Sequence, residues 1–519
     1  MLDATPDAAT ATIDAPGVIS ASRFTDEQTA AIDLAAGLPA GASARVRSGA
    51  GTGKTTTLVG MARALTGKGV YVPFNRAVAE EARPKFADTP CTPMTFHGLC
   101  FQVVQDAGEM AGGPARYDVR QDVLDAGLTR PYLRQIPAGW NEFGLGLAAL
   151  RTLAAFCMSD SEEIREAHAR KAVTAVTGDP ESITAPGPKA VAERALRILT
   201  PILRDIATAF WEARLADRRL THDAYVKLVH LRPDLAARAF AGLDYVMVDE
   251  AQDLNPVQIA ILKASGVSVI AVGDSAQSIY GWRGAVDALD RLTGAQATLS
   301  RSFRFGPGIA GMANRILDRA PELGGVTLTG AGGGQPLPRD VPGHAILART
   351  NIGLLDEAEA LFHRRMSYNF DRGEDLLDQV RSAEALWEGN LRAVKNPDIK
   401  PFRDWDDFKA EADANPTFAR LVEIVEKRRV AMVARIVKDS RPIQEAKVAL
   451  MTAHRSKGLE FGAVKLAGDW SSLDELDERH TRAEQKSVHK AIEARQEFGV
   501  LYVAVTRGIN RVEGAESLL

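Results

Sequence analysis

The stretch Ser48-Gly49-Ala50-Gly51-Thr52-Gly53-Lys54-Thr55 combines the residue types that bind a phosphate. Its glycines allow successive backbone N–H groups to converge on an anion, and the helix-forming run Thr56–Leu65 adds positive potential from its N-terminus. Lys54 can reach the outer phosphates of a nucleotide, and the Thr55 hydroxyl can ligate Mg²⁺. An ordinary turn between a strand and a helix is the alternative, because Ser48 replaces the usual first glycine. The candidate nucleotide contacts here are Gly51, Thr52, Gly53, Lys54, Thr55 and Thr56.

Nucleotide hydrolysis also needs a carboxylate for the metal ion and a base for the attacking water. The apolar segment Leu243–Val248 predicts a strand, and Asp249 and Glu250 follow it directly. Ligands of parallel α/β sheets bind at the carboxyl ends of the strands, so we expect both side chains to lie beside the glycine-rich turn. Asp249 would then hold Mg²⁺, and Glu250 would accept a proton from water.

Strands and helices that could support this turn alternate along the chain. The sequence predicts a strand at Gly69–Asn75, a helix at Arg76–Lys85 and a second strand from Cys91, ending in a polar turn at Gly98. A strand, a helix and a strand behind a phosphate loop begin a parallel α/β sheet flanked by helices. Between residues 99 and 215, Ala, Leu, Arg and Glu dominate, which indicates a helical insertion.

More residues with chemical potential follow the predicted strand Val267–Val272. Gln277 could sense a γ-phosphate, while Tyr280, Trp282 and Arg283 place two stacking faces and a cation within four residues. Aromatic rings interleaved with arginine suit single-stranded nucleic acid, because every base has a π-face. Core packing is the usual role of a tryptophan, but this glycine-rich loop favours nucleic-acid binding.

The first ordered helix is expected to begin near Thr25. Gln28 follows three residues later, as in a capping box, in which each residue caps the other's backbone N–H. The Gln28 amide could instead read an adenine edge, since it offers a donor and an acceptor together. The local sequence leaves both interpretations open.

Composition limits the class of protein. A chain of 519 residues with 45% hydrophobic and 25% charged residues is expected to be globular and to contain several domains. The net charge of −4 does not indicate a nucleic-acid binder, so any such site must be a local groove. No apolar run is long enough to span a bilayer, so no membrane partner is expected.

Location is also predicted from composition. Met1–Ser22 is expected to be a disordered leader and not a targeting signal, because it lacks a basic region. Three cysteines, Cys91, Cys100 and Cys157, form no disulfide or CxxC pattern, which fits a reducing cytoplasm. We therefore expect a cytoplasmic protein.

Taken in order, these stretches resemble the motifs of superfamily 1A DNA helicases, the UvrD, Rep and PcrA group. The resemblance extends over nearly the whole chain after Ser22. The matching segments are Phe24–Ile32 (Q motif), Ser48–Thr55 (I), Phe74-Asn75 (Ia), Thr95–His97 (Ib), Asp249–Asp253 (II), Gly273–Ala285 (III), Leu299–Arg304 (IV), Thr452–Phe461 (V) and Leu501–Arg507 (VI). Within this group the chain is similar to the F-box DNA helicase branch and its short bacterial or phage counterparts, which implies a bacterial or phage origin, although no F-box is expected here. That similarity rests on Val72–Ala82, Leu220–Tyr225 and Arg301–Gly306.

The resemblance implies ATP and Mg²⁺ as cofactors and assigns further contacts. It retains Lys54, Thr55, Asp249 and Glu250 in the roles given above. The other implied nucleotide contacts are Gln28 and Phe303 at adenine, Glu460 at the ribose, and Gln277, Arg304 and Arg507 at the γ-phosphate. The implied path of the DNA strand is lined by Phe74, Asn75, His97, Tyr280, Trp282, Arg283 and His454.

An α/β fold with two RecA-like P-loop domains is implied, each a parallel sheet flanked by helices. The expected divisions are a leader (1–22), domain 1A (23–98 and 216–298), helical insertion 1B (99–215), domain 2A (299–373 and 447–519) and a reduced 2B insertion (374–446). ATP hydrolysis would be coupled to closure of the two RecA-like domains, and the protein would move 3′ to 5′ along DNA. The implied partners are single-stranded DNA and tailed or forked duplexes, and no protein partner is indicated.

The short 2B insertion departs from the larger relatives. It contains Trp387, Trp405 and a charged helix expected over Phe418–Lys438. With little surface for a duplex, the chain could be a single-strand translocase that strips bound proteins with little unwinding. A nucleotide-gated DNA-binding subunit that needs a partner is a third alternative. Only twelve residues follow motif VI, so we expect no nuclease domain there.

Overall fold

The computed structural model describes residues 24–519, except 138, 181–185, 282–283, 333–340, 401, 403, 413–415 and 486–487. The expected leader, residues 1–22, lies outside the described residues, as do Trp282 and Arg283. The described chain contains parallel sheets flanked by helices, which confirms the predicted α/β fold class.

The first sheet supports the phosphate loop. Its strands are β1 (Ser43–Ser48), β2 (Gly69–Val72), β3 (Cys91–Pro93), β4 (Tyr245–Val248), β5 (Ser268–Gly273) and β6 (Ala295–Leu299). They lie in the order β3-β2-β4-β5-β1-β6, and all neighbours are parallel. The helices of this part are α1 (Asp26–Ala36), α2 (Lys54–Ala64), α3 (Arg76–Phe86), α4 (Phe96–Asp106), α5 (Glu142–Met158), α6 (Glu166–Thr177), α7 (Pro186–Ala216), α8 (His222–Leu231), α9 (Pro233–Ala239), α10 (Pro256–Ala264) and α11 (Ala288–Arg291). We call the described residues from 24 to 299 the first unit.

The second unit comprises the described residues from 301 to 519. A short parallel pair, β7 (Arg301–Ser302) and β8 (Thr329–Gly330), precedes its main sheet. The main sheet contains β9 (His344–Ala348), β10 (Tyr368–Phe370), β11 (Val448–Thr452), β12 (Phe461–Leu466) and β13 (Gly508–Glu513), in the parallel order β10-β11-β9-β12-β13. Its helices are α12 (Pro307–Arg319), α13 (Leu355–His363), α14 (Gly373–Trp387), α15 (Trp405–Ala412), α16 (Pro416–Glu426), α17 (Val430–Asp439), α18 (Ala453–Ser456), α19 (Leu473–Glu484) and α20 (Val488–Val505).

Three sequence predictions differ from the structure. The strand from Cys91 ends at Pro93, and the polar turn predicted at Gly98 is wrong, because Thr95 caps α4 and Gly98 lies in the first turn of that helix. The predicted strand Gly69–Asn75 ends at Val72, because Pro73 has no N–H to continue a ladder. The single helix predicted over Phe418–Lys438 is wrong: α16 ends at Glu426 and α17 begins at Val430. Arg428 between them adopts φ 52°, a left-handed conformation that interrupts a right-handed helix.

Side-chain alternation builds a core on both faces of the second sheet. In β9, Ala345 and Leu347 pack with α12 and α20, whereas Ile346 packs on the opposite face with α13 and α14. This is the two-residue period of a strand covered on both sides. The first of these cores also contains Ala50 and Ala276 of the first unit, so the two units are in contact.

None of the described helices is both long enough and apolar enough to cross a membrane.

Candidate active site and nucleic-acid groove

The phosphate loop connects the end of β1 to the first residue of α2. Gly51 and Gly53 have φ angles of 73° and 77°, which glycine adopts without the steric cost of a Cβ. The Ser48 hydroxyl donates a 2.8 Å hydrogen bond to the carbonyl of Gly273 at the end of β5. Serine at the first position of the loop therefore ties it to a neighbouring strand. Gly53, the N-cap of α2, provides no side-chain cap, so the helix N-terminus is suited to an anion.

Lys54, Asp249 and Glu250 converge at the carboxyl edge of the first sheet. The Lys54 Nζ lies 4.0 Å from the Glu250 Oε1. Asp249 Oδ1 accepts from the backbone N–H of Glu250 at 2.9 Å, and Oδ2 accepts from the buried Tyr71 hydroxyl at 2.7 Å. Glu250 itself has φ 52°, a costly conformation of the kind that clusters at functional sites. Nothing in the sequence around Tyr71, which lies in β2, indicates that its hydroxyl would bind the Asp249 carboxylate.

The two carboxylates have opposite electrostatic surroundings. Burial, reinforced by the negative charge of Glu250, raises the pKa of Asp249. Burial also acts to raise the pKa of Glu250, but the charges of Lys54 and Lys457 outweigh it and lower that pKa. Glu250 is therefore the member of the pair that is more readily ionised.

A hydrogen-bond chain links Glu250 to the loop after β5. Gln252 Nε2 donates to Glu250 Oε2 at 2.5 Å, and Gln252 Oε1 accepts from the Asp274 backbone N–H at 3.0 Å. Gln277 Nε2 then donates to Asp274 Oδ2 at 2.6 Å. The same Asp274 oxygen accepts from the Tyr502 hydroxyl of α20 at 3.1 Å. Sequence reasoning missed Gln252, Asp274 and Tyr502, although all three lie within or beside its motifs.

Two arginines of the second unit lie at the candidate nucleotide site. The Phe303 N–H donates to the Gly51 carbonyl at 2.8 Å, and a Cβ placed on Gly51 would be 2.5 Å from the Arg304 Cβ. Arg304 Nε donates to Glu460 Oε1 at 2.8 Å, and its Nη1 donates to the Thr506 carbonyl at 2.8 Å. The backbone of Arg304 is thus against the phosphate loop while its guanidinium is bonded within its own unit.

Arg507 is buried, with 2% of its surface exposed. Its Nη2 donates to Gln277 Oε1 across the contact between units at 3.2 Å, and its Nε donates to the Val503 carbonyl at 3.0 Å. Burial, together with the charge of Arg304, lowers the pKa of Arg507 to about 9. The structure therefore brings Gln277, Arg304 and Arg507 to the same cleft as Lys54.

Gln28 forms the capping box that the sequence suggested. Its Oε1 accepts from the Thr25 N–H at 3.1 Å, and the Thr25 hydroxyl accepts from the Gln28 N–H at 3.2 Å. The side chain also approaches the phosphate loop, with Nε2 3.5 Å from the Thr52 carbonyl. A Cβ on Gly53 would contact both the Gln28 amide and the Phe303 ring. Gln28 and Phe303 are therefore neighbours at one end of the site, and Glu460 lies against Arg304 instead.

The first turn of α2 supplies two threonines, of which Thr55 is half-buried and Thr56 is exposed. A threonine hydroxyl and a carboxylate are hard oxygen ligands of the type that Mg²⁺ takes together with phosphate oxygens and water. Each Asp249 oxygen keeps a lone pair after accepting one hydrogen bond. Thr55 and Asp249 therefore fit the ion predicted from the sequence.

A groove of about 550 Å³ is lined in part by Asp249 and Glu250. Phe74 and Tyr280 line it with nearly parallel rings, 5.9 Å between centroids and 9° between planes, and half of the Phe74 surface is exposed. His97, in the first turn of α4, also lines this groove. The walls of this groove thus combine two nearly parallel aromatic rings with the carboxylates of the candidate nucleotide site.

His454 and Asn75, which were also expected to bind nucleic acid, are not among the residues that line this groove. The His454 carbonyl accepts from the Tyr280 hydroxyl at 3.3 Å, and burial lowers the pKa of the His454 imidazole. Asn75 is the N-cap of α3 and accepts from the Val78 N–H at 3.0 Å. Its side-chain oxygen therefore has a structural role that the sequence did not predict.

Lys457 connects the second unit to both sites. Its Nζ donates to Asp253 Oδ2 at 2.5 Å and to the Gln277 carbonyl at 2.6 Å, and it lies 5.0 Å from the centre of the Tyr280 ring. The Asp253 side chain is buried, and burial raises its pKa to about 6 although Lys457 opposes this. Lys457 lies in Thr452–Phe461, the segment that resembles motif V, but the sequence does not predict this role.

We expect Lys457→Met to destabilise the protein by about 3–5 kcal/mol, because it leaves the buried Asp253 carboxylate without its cation. Thermal and urea unfolding would measure the loss. The matched control is Lys457→Met combined with Asp253→Asn, which removes both charges and should recover most of the stability. An unchanged melting temperature for the single variant would contradict this interpretation.

Comparisons with known proteins agree with this arrangement. Residues 26–289 match the family model of the UvrD/REP helicase N-terminal domain. The chain is 29% identical to F-box DNA helicase 1 of Gallus gallus over 490 residues, covering 89% of this chain and 46% of that protein. It is 25% identical to F-box DNA helicase protein 1 of Schizosaccharomyces pombe over 516 residues (90% and 55%), and 35% identical to DNA helicase II of Escherichia coli over 188 residues (30% and 26%). The chain spans about half the length of the two F-box helicases.

Proposed function

The chain belongs to the UvrD/REP helicase family, and from that premise we propose that it is an ATP- and Mg²⁺-dependent DNA helicase that translocates 3′ to 5′ along a single strand. The relatives named as DNA helicases support the choice of substrate. The polarity follows from the resemblance of the motifs. In this proposal the motor consists of domain 1A (23–98 and 216–298) and domain 2A (299–373 and 447–519).

One observation carries the proposal: the residues that we assign to the nucleotide site come from two units that are in contact. Lys54 and Glu250 belong to the first unit, whereas Arg304 and Arg507 come from the second. Cations that cross a cleft stabilise transition-state charge only while the cleft is closed. Hydrolysis would therefore depend on closure, and product release would allow the cleft to open.

Each residue has a defined task in this scheme. The N–H groups at Gly51 and Gly53, with Lys54, bind the phosphates. Mg²⁺, held by Thr55 and Asp249, would neutralise charge on the β- and γ-phosphates. Glu250 orients the attacking water and takes its proton, while Gln252 fixes the carboxylate.

The remaining residues would bind the γ-phosphate, the adenine and the ribose of ATP. Gln277 lies between Asp274 and Arg507 and would report the γ-phosphate to both units. Gln28 and Phe303 would bind adenine. Glu460 would bind the ribose after it releases Arg304.

Phe74 and Tyr280 would hold the bases, with His97 and His454 along the same path. Tyr280 is coupled to the second unit through the His454 carbonyl and Lys457. Closure of the cleft would therefore move the stacking site together with the catalytic site. We propose that this coupling converts each hydrolysis into a step along the strand.

The second candidate function is that of a single-strand translocase that unwinds duplexes weakly. The region between residues 374 and 446 supports it. Helices α14, α16 and α17 of that region pack against the second sheet in one core with β9 and β11. A surface held this closely to the motor offers little reach towards a duplex. A translocase of this kind would displace bound proteins better than it separates strands.

The purified chain should hydrolyse ATP, and single-stranded DNA should stimulate the rate. Duplexes with 3′ or 5′ single-stranded tails, tested at several salt concentrations, would give polarity and unwinding strength, because phosphate contacts make binding salt-dependent. Displacement of a protein from a 3′-tailed strand, compared with fork unwinding, would separate the two candidates. Absence of DNA-stimulated hydrolysis would refute the proposed function.

We expect Phe74→Ala to weaken single-strand binding by about 1–3 kcal/mol, the contribution of a base stacked on an aromatic ring. Fluorescence anisotropy with labelled oligothymidylate would measure it. Phe143→Ala is the matched control, because Phe143 on α5 is 50% exposed and Phe74 is 49% exposed. Equal affinities for the two variants would argue against a stacking site at Phe74.

A further inference from the structure

The chain passes from the first unit to the second at Ser300. Strand β6 ends at Leu299 in the first sheet and β7 begins at Arg301 in the second unit, so a single residue separates the two strands. Any change in the angle between the units must be absorbed by backbone torsions at or near this residue. We call Leu299–Arg301 the hinge.

Glu27, which is half-buried in the first turn of α1, accepts three hydrogen bonds from the hinge. Its Oε2 accepts from the Ser300 N–H at 2.7 Å and from the Arg301 N–H at 3.3 Å, and its Oε1 accepts from the Ser300 hydroxyl at 2.5 Å. Consecutive N–H groups of an extended strand point to opposite sides, so one oxygen that accepts from both holds a bend between β6 and β7. Hydrogen bonds to a carboxylate are also stronger than those between neutral groups.

The phosphate loop is bonded to the chain on both sides of this bend. The Gly49 N–H donates to the Leu299 carbonyl at 3.0 Å, just before Ser300. The bond from the Phe303 N–H to the Gly51 carbonyl follows three residues after it, and Arg304 comes next. The direction in which the chain leaves the bend therefore decides where Arg304 meets the phosphate loop.

The same turn of α1 also reaches the candidate nucleotide site. Gln28 follows Glu27 directly, and its Nε2 lies 3.5 Å from the Thr52 carbonyl of the phosphate loop. One helical turn thus contacts the phosphate loop through Gln28 and the hinge through Glu27. The function proposed above gives Glu27 no role.

Helix stabilisation is the simpler role for Glu27. An acidic side chain in the first turn of a helix interacts favourably with the helix dipole. Asp26 is exposed and places the same charge in the same turn of α1. A comparison of Glu27 with Asp26 therefore separates helix stabilisation from the contacts with the hinge.

Resting on the function proposed above, we propose that Glu27 is a positioning residue of the motor, which clamps the hinge so that closure brings Arg304 to the phosphate loop in one orientation. Because Ser300 and the Arg301 N–H are bonded to the first unit, the pivot is confined to the torsions that follow them. Without the carboxylate, the second unit would approach the loop over a wider range of angles, and hydrolysis would lose its alignment. Nucleotide affinity would change less, because Lys54 and the phosphate loop are untouched.

Glu27→Gln should reduce the turnover number for ATP by about ten- to a hundredfold, since a misplacement of about 1 Å far from the chemistry can cost this much. The substitution keeps the size of the side chain and replaces one accepting oxygen with an NH₂ group, which cannot accept from the hinge. The KM for ATP should stay within a few-fold of wild type. The matched control is Asp26→Asn, which should turn over ATP at the wild-type rate and have the same melting temperature as Glu27→Gln.

A second substitution tests whether the effect passes through the hinge. Ser300→Ala removes the hydroxyl donor and leaves the two backbone donors, so its loss of turnover should be smaller than that of Glu27→Gln. The double variant should lose little more than Glu27→Gln alone, because both changes act on one contact. Additive losses would contradict the clamp.

A distance measurement tests the clamp without hydrolysis. Lys263→Cys and Arg315→Cys place a donor and an acceptor dye on exposed positions of the two units, and the three native cysteines are buried. With Mg²⁺ and the nonhydrolysable analogue AMP-PNP, single-molecule energy transfer should give one narrow distribution in the parent protein and in its Asp26→Asn variant. The Glu27→Gln variant should give a broader one.

The outcomes distinguish this inference from the proposed function. The inference is overturned if Glu27→Gln hydrolyses ATP like Asp26→Asn, or if turnover, nucleotide affinity and melting temperature fall together, which would indicate a structural role alone. Identical distributions of energy transfer would overturn it equally. If the wild type shows no DNA-stimulated hydrolysis, the proposed function fails, and the energy-transfer measurement still decides the role of Glu27.

Discussion

Glu250→Gln should reduce the rate of ATP turnover by about two to four orders of magnitude, which is the contribution of a positioned base. The substitution keeps the size of the side chain, and the new amide oxygen can still accept the hydrogen bond from Gln252. Lys54 and the phosphate loop are unchanged, so nucleotide affinity should stay within a few-fold of wild type. Steady-state hydrolysis and binding of a fluorescent ATP analogue would measure the two quantities.

A matched control is Glu212→Gln, which makes the same chemical change at an exposed position on α7. It should hydrolyse ATP at the wild-type rate. Turnover near normal in Glu250→Gln would exclude Glu250 as the base. A parallel loss of nucleotide affinity would instead indicate that Glu250 holds the nucleotide site together.

Arg304→Ala should reduce turnover by about 10²–10³-fold, the usual loss when one preorganised donor to transition-state charge is removed. Arg304 is a better test than Arg507, because the buried Arg507 bonds to the Val503 and Leu459 carbonyls and its removal would also disturb the fold. Nucleotide affinity should fall less than turnover. The reason is that Lys54 and the loop bind the phosphates even when the cleft is open.

The control for this variant is Arg315→Ala, which removes an exposed arginine of α12 in the same unit. It should leave both quantities unchanged. Equal losses of affinity and turnover in Arg304→Ala would argue against a site completed by closure. Glu460→Gln provides a further measurement, because Glu460 is the carboxylate that Arg304 must release before it reaches a phosphate.

The groove residues show which features of a site a sequence can indicate and which it cannot. Phe74, His97 and Tyr280 line one space, although they come from three separate motifs. Asn75 was assigned to nucleic acid by the same reasoning, yet its side-chain oxygen caps α3. A side chain that follows a strand can bind a ligand or cap the next helix, and only the path of the backbone decides which of the two it does. Trp282 and Arg283 lie outside the described residues and remain predictions.

The sequence alone determined which chemical groups lie at the carboxyl edge of the first sheet. Glycines at Gly51 and Gly53 permit positive φ angles, and an apolar run that ends in Asp249 and Glu250 places carboxylates at the carboxyl end of a strand. These are local properties, because they depend on a residue and its immediate neighbours.

Only the tertiary structure decided which side chains meet. Tyr71 donates to Asp249 from 178 residues away, Lys457 reaches Asp253 from 204 residues away, and Arg507 bonds Gln277 from 230 residues away. No local pattern specifies such pairs, because each depends on how the two sheets pack and on which buried charges must be neutralised. The phosphate loop could be identified from eight residues, and the family resemblance implied that Arg304 and Arg507 come from a second domain. The contact of that unit with Gly51 depends on tertiary packing, and no local pattern specifies it.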